Sequence, residues 1–194
     1  MSRLEAVQAL VDRARSVNSP SSLRNLLADG TREIGFDYFA LIHHVDLTRY
    51  TDHLPHMKKR DLVALGTYPD AWIETYIEDN IVANDPVLLA SHRTNVGFKW
   101  SDIPSLIPLS DAHREIRLRT VKAGIDDGFT VPAHVPGEAN GSCNFAMASG
   151  GALPERNLEI AQLIGGFAFQ AARAMVSNAR PEASLPQKKP LTQR

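Results

Sequence analysis

With 194 residues, the chain is long enough for one well-buried core but short for two, so we expect a single domain with tails. Its 21 Lys and Arg residues nearly balance its 22 Asp and Glu residues, which leaves little attraction for nucleic acid phosphates or anionic membranes. The one cysteine, Cys143, excludes an intramolecular disulfide, and no apolar run approaches the roughly 20 residues that span a bilayer. We therefore expect a cytoplasmic protein that contacts neither membrane nor DNA through this chain.

The first half of the chain predicts helices followed by strands. Apolar residues recur at helical spacing over 3–17, and a break at 18–20 separates a second helical segment that ends near Gly35. Residues 36–45 and 62–67 are rich in aromatic and branched residues, which is typical of strands, and 48–59 is the predicted loop between them.

A helix is predicted next, because Pro69 fits a first helical turn and Asp70 favours its positive end. Trp72 and Tyr76 are four residues apart and therefore share one face of this helix. A further helix is predicted over about 110–123, ending where Gly124 allows a left-handed cap.

The last part of the chain predicts two strands and a long helix. The strands cover 129–135 and 142–148, around a turn that contains Pro136, Gly137, Asn140 and Gly141, and the helix covers 153–178. The order of elements lacks the regular alternation of a parallel doubly wound sheet, so we expect an α+β fold with an antiparallel sheet covered by helices. Pro, Ser, Gln and Lys dominate 180–194, which predicts a linker after a domain of residues 1–179.

An enzymatic site has little support in the sequence. Cys143 alternates with polar neighbours in a predicted strand, where a small buried thiol is the more common role. His43 and His44 point to opposite faces of a strand, which does not suit a shared metal site. Zinc-binding spacings, a glycine-rich phosphate loop and a nucleophile elbow are all missing from the sequence.

A binding site is favoured by aromatic and acidic residues that fall within one stretch of the chain. They are Tyr68, Trp72, Tyr76, Asp85 and Trp100. Each ring taken alone is better explained by core packing. Asp85, which lies between apolar segments and before Pro86, either caps a turn or serves a polar partner.

The same stretch resembles the autoinducer-binding domain of LuxR-type quorum-sensing regulators. The matching segments are 67–76 (TYPDAWIETY), 84–87 (NDPV), 98–100 (FKW) and 124–132 (GIDDGFTVP). The resemblance covers roughly residues 23–179. Residues 191–194 (LTQR) resemble the opening of the helix-turn-helix domain that follows in this family.

The resemblance implies an α/β/α sandwich that encloses an N-acyl homoserine lactone, often as part of a homodimer. It implies that the Trp72 indole N–H donates to the lactone carbonyl and that Asp85 accepts the ligand's amide N–H. Tyr68 matches the phenol that donates to the acyl carbonyl. Tyr76 and Trp100 match rings that pack against the acyl chain and the lactone.

The resemblance leaves the acyl group of the ligand open. Asn144 occupies a strand position where the family often has Ser or Thr facing the acyl carbonyl, and an amide can both donate and accept. Ile42, His43 and Val87 are further candidates for the part of the pocket that holds the acyl tail.

The predicted function is that of a ligand-gated regulator, without enzymatic activity or a cofactor. Its autoinducer would control dimerisation and DNA binding by a following helix-turn-helix domain. One alternative is a lactone- or acyl-processing enzyme that uses the same pocket, although the sequence offers no activated nucleophile. The other is a ligand-independent dimerisation module, against which the intact Tyr68, Trp72 and Asp85 argue.

Overall fold

The computed structural model describes residues 3–43, 65–135 and 139–179, and within these ranges it combines seven α-helices with five strands. The helices are α1 (Arg3–Ser16), α2 (Pro20–Glu33), α3 (Asp70–Glu78), α4 (Pro86–Ser91), α5 (Ile103–Leu106), α6 (Asp111–Lys122) and α7 (Leu158–Ala179). The strands are β1 (Tyr38–His43), β2 (Leu65–Gly66), β3 (Phe98–Lys99), β4 (Ile125–Val135) and β5 (Ala139–Ala148). The predicted α+β fold is confirmed.

The five strands form one antiparallel sheet in the order β2-β1-β5-β4-β3. The central hairpin of β4 and β5 is longer than the sequence predicts, and Val135 pairs with Ala139. Asn140 and Gly141, which we assigned to the turn, are therefore strand residues. The predicted loop at 48–59, the turn residues Pro136 and Gly137, and the predicted linker at 180–194 lie outside the described residues.

Helices cover both faces of the sheet, as expected for a sandwich. Alternate strand residues, including Phe39, Val131 and Phe145, face one apolar core that is completed by α1, α2 and α7. The opposite face, which includes Tyr38 and Ala146, contacts a second core made by α3 to α6. The second core contains the aromatic residues that the sequence singles out.

The helix ends follow from local chemistry. Ser19 caps α2 by accepting from the backbone N–H of Ser22, and Ser110 caps α6 by accepting from that of His113. Gly124 ends α6 with φ of 89°, which a glycine adopts without strain. Pro69 lies at the cap of α3 and not within its first turn.

Three short elements, α4, α5 and β3, were missed by the sequence analysis. Each has six residues or fewer, too few to establish a hydrophobic period. None of the helices in the described ranges combines the length and apolar character needed to cross a bilayer.

Candidate functional site

A cavity of about 80 Å³ lies between the second face of the sheet and helices α3, α4 and α6. This space exceeds what one water molecule needs, and its walls are mainly apolar. All six residues predicted from the sequence line it, namely Tyr68, Trp72, Tyr76, Asp85, Trp100 and Asn144. The fold thus brings together side chains that are up to 76 positions apart in the chain.

Helix α3 supplies two of the aromatic walls. Trp72 and Tyr76 are buried on the same face, and their rings meet edge to face with centroids 6.0 Å apart. Within the described residues, the Trp72 indole N–H has no protein acceptor. This donor therefore remains available to a molecule in the cavity.

Asp85 has both of the roles that the sequence left open. Its Oδ1 accepts from the backbone N–H of Val87 at 2.8 Å and so caps α4, while its Oδ2 accepts from the Tyr76 hydroxyl at 2.8 Å. The same carboxyl group lines the cavity. Because a carboxylate has about four acceptor sites, the two bonds leave capacity for another donor.

Burial shifts the pKa values of Asp85, Tyr68 and Tyr76 in the cavity wall. Desolvation raises the pKa of Asp85, although the hydrogen bonds from Tyr76 and Val87 oppose that rise. Burial and the neighbouring Asp85 carboxylate raise the pKa of Tyr68 and of Tyr76 above the ordinary phenol value. Both phenols are therefore neutral near pH 7 and can donate hydrogen bonds.

A row of hydrogen bonds connects Trp100, Asn144 and Ala40, which line the cavity, by way of Thr130. The Trp100 indole N–H donates to the Thr130 hydroxyl at 2.9 Å, and that hydroxyl donates to Oδ1 of Asn144 at 2.7 Å. The Asn144 amide then donates to the carbonyl of Ala40 over a longer distance of 3.3 Å. Trp100 thus differs from Trp72, because its only donor already has a protein partner.

Gly128 allows Trp100 to lie against β4. A Cβ atom at this position would lie 2.6 Å from Cε2 of Trp100 and 2.7 Å from the carbonyl oxygen of Phe145. Gly128→Ala is expected to lower the free energy of unfolding by about 1 to 3 kcal/mol, because the strand carbonyl cannot move aside easily. Denaturant unfolding followed by tryptophan fluorescence measures the effect.

Gly166→Ala on α7 is the matched control, because a Cβ there meets nothing within 4 Å. Replacing a helical glycine with alanine stabilises the folded protein where there is space for the added methyl group. Equal stabilities for the Gly128 and Gly166 variants would contradict the packing role of Gly128.

Seven residues that line the cavity were missed by the sequence analysis, namely Ala40, Gly66, Ile73 and Pro86 and, on α6, Ile116, Arg117 and Thr120. The spacing of the three on α6 places them on one side of that helix, which is the only signal for them in the sequence. Of the residues predicted to hold the acyl tail, Ile42 and Val87 line the cavity. The side chain of His43 lies outside the described residues.

Cys143 is buried on the other face of the sheet, within the first core. Desolvation raises the pKa of its thiol above the ordinary value, so it is a poor nucleophile. Within the described residues, there is no cluster of three or more potential metal ligands.

The fold and the cavity define a domain with an internal pocket, and comparisons with known proteins identify its family. Residues 19–172 match the autoinducer binding domain family. The chain is 31% identical to the HTH-type quorum-sensing regulator RhlR of Pseudomonas aeruginosa over 113 residues, which cover 57% of this chain and 41% of RhlR. The chain spans about half the length of the curated relatives it matches, or less.

Solved structures show the same fold. Escherichia coli SdiA aligns with a TM-score of 0.71 and 18% identity, over 96% of this chain and 75% of SdiA. CepR2 of Burkholderia cenocepacia, an N-acylhomoserine lactone-dependent transcription factor of the LuxR family, aligns with a TM-score of 0.63 and 15% identity over 90% and 96% of the two chains. This chain belongs to the autoinducer-binding domain family and is of the LuxR type.

Proposed function

We propose that this domain binds an N-acyl homoserine lactone in the cavity and transmits its presence to a DNA-binding domain. The observation that carries the proposal is the set of polar groups on one apolar cavity, namely the Tyr68 hydroxyl, the Trp72 N–H and the Asp85 carboxylate. An acylated lactone offers two carbonyl acceptors and one amide donor, which complement two donors and one acceptor. The apolar remainder of the cavity suits an acyl chain.

The assignment of roles follows from the chemistry of each group. Trp72 has only a donor, which suits the lactone carbonyl, and the neutral Tyr68 suits the acyl carbonyl. Asp85 accepts the amide N–H through a charge-assisted bond, while Tyr76 and Trp100 provide ring surfaces. Asn144 lies on the central strand β5, and its side chain lines the cavity.

Regulation by the ligand is proposed on the basis of the relatives. RhlR is named as a quorum-sensing regulator with a helix-turn-helix, and CepR2 as a lactone-dependent transcription factor. We assign residues 1–179 to the ligand-binding domain and 180–194 to a linker toward a helix-turn-helix domain. The bound lactone would favour a homodimer in the cytoplasm that binds DNA through that domain.

The test is mass spectrometry of small molecules extracted from the chain after its production with a mixture of acyl homoserine lactones. We expect one or a few intact lactones in a near-stoichiometric amount. Recovery of hydrolysed or deacylated products would favour a processing enzyme. Recovery of no lactone would favour the ligand-independent dimerisation module.

Trp72→Phe is expected to weaken lactone binding about fivefold, because the aromatic ring remains while its one donor is lost. A ligand analogue whose ring lacks the carbonyl group should bind the wild-type chain and Trp72→Phe with equal affinity. Isothermal titration of both ligands against both proteins provides the measurement. An equal loss for the two ligands would restrict Trp72 to a packing role.

A further inference from the structure

Arg117 is a charged residue in the cavity wall to which neither the sequence nor the proposed contacts assign a role. It projects from α6 over the Trp100 ring, with Cζ 5.2 Å from the ring centroid. Its Nη2 donates to the backbone carbonyl of Asp126. These two contacts fix the guanidinium at the edge of the cavity.

The other terminal nitrogen of Arg117 is not satisfied by the protein. Nη1 is buried and has no hydrogen-bond partner among the described residues. A buried donor without an acceptor is unfavourable, and a guanidinium remains charged throughout the physiological range. An acceptor oxygen from a bound molecule would satisfy this nitrogen.

The position of Arg117 in the cavity wall indicates which part of the ligand supplies that oxygen. Burial lowers the pKa of Arg117, and the neighbouring carboxylates of Asp127 and Asp126 oppose that effect. Arg117 lines the same cavity of about 80 Å³ as Tyr68 and Asp85. Arg117 thus shares a small cavity with the two residues to which we assign the acyl carbonyl and the amide. The oxygen that accepts from Nη1 of Arg117 is therefore expected close to the ligand's amide group.

We propose that Arg117 determines ligand specificity by donating a hydrogen bond from Nη1 to an oxygen substituent on the acyl chain near the amide. The domain then prefers a lactone with a ketone or hydroxyl group on the third acyl carbon to the unsubstituted lactone. This inference rests on the proposed function, since it requires a lactone in the cavity. It adds the chemical class of the acyl group.

The test compares three lactones of equal chain length, with an unsubstituted, a 3-oxo and a 3-hydroxy acyl group. Each is titrated calorimetrically into the 194-residue chain and into Arg117→Met, which keeps an apolar stem over Trp100 but has no donor. Arg117→Gln, with an uncharged donor, is the second variant should the first fail to fold. Arg114→Met is the control, because Arg114 is exposed on the same helix and pairs with Asp111.

We expect the wild-type chain and Arg114→Met to bind at least one oxygen-bearing lactone about tenfold more tightly than the unsubstituted one. In Arg117→Met this ratio should fall to about one, with affinity for the unsubstituted lactone retained. In Arg117→Gln the ratio should be reduced.

Three results would overturn the inference while leaving the proposed function intact. They are equal wild-type affinity for all three lactones, an unchanged ratio in the Arg117 variants, and an equal loss for every lactone. The last of these would assign Arg117 to the lactone ring or to packing alone. Absence of binding by every lactone would overturn the proposed function and this inference together.

Discussion

Saturation with the cognate lactone is expected to raise the melting midpoint of this domain by roughly 5 to 11 °C. A ligand that binds only the folded state adds about 2.7 kcal/mol at 100 times its dissociation constant, and each kcal/mol shifts the midpoint by about 2 to 4 °C at this size. The molecular reason is the cavity, where the Trp72 N–H has no acceptor among the described residues and Nη1 of Arg117 is buried unpaired. A bound ligand can supply an acceptor to each of these donors.

The measurement is a thermal melt with a series of lactones at several concentrations. The rise should grow with the logarithm of ligand concentration above the dissociation constant. A Trp72→Phe, Asp85→Asn double variant keeps the shape of the cavity and should show a much smaller rise. A midpoint and a soluble yield that no lactone changes would contradict ligand binding.

Asp85→Ala is expected to destabilise the folded domain even without ligand, by about 2 to 4 kcal/mol. The substitution removes the cap of α4, worth about 0.5 to 2 kcal/mol, and leaves the buried Tyr76 hydroxyl without its acceptor, which costs about 1 to 3 kcal/mol. Loss of a desolvated carboxylate offsets part of this. Urea unfolding of the ligand-free chain measures the difference.

Asp85→Asn separates the structural role of this residue from its proposed role in binding. The amide oxygen can still cap α4, so stability should remain within about 1 kcal/mol of the wild type. Lactone affinity should fall by about 1.5 to 3 kcal/mol, or about 10- to 150-fold, because the charged acceptor is lost. A loss below about threefold would leave Asp85 as a cap and a partner of Tyr76 only.

The candidate site was largely predictable because much of it is local in sequence. Trp72 and Tyr76 share a helical face by spacing alone, and the 67–87 segment carries most of the resemblance. Asp85 preceding Pro86 indicated a cap or a polar contact, but only the folded chain brings the Tyr76 hydroxyl to its second oxygen.

Arg117 shows why the rest could not be predicted. It lies in α6, whose sequence DAHREIRLRTVK is charged on most sides and is typical of a solvent-exposed helix. Its burial depends on Trp100 and Asp126, which the fold brings beside it. The short elements β3 and α4 escaped prediction for a related reason, since tertiary contacts and not a sequence period define them.

The row of polar side chains on the sheet also helps to determine the register in which the strands pair. Phe98 pairs with Thr130, Thr130 with Asn144 and Asn144 with Ala40, so the hydrogen bonds of Thr130 and Asn144 follow the pairing across β4, β5 and β1. A slip of one residue would turn Asn144 into the apolar core and Cys143 toward the cavity. An unpaired buried amide costs about 1 to 3 kcal/mol, so misaligned sheets are disfavoured while the chain folds. The hydrogen bonds of Thr130 and Asn144 thereby favour the correct alignment of β1 with the β4–β5 hairpin, from which β1 is distant in sequence.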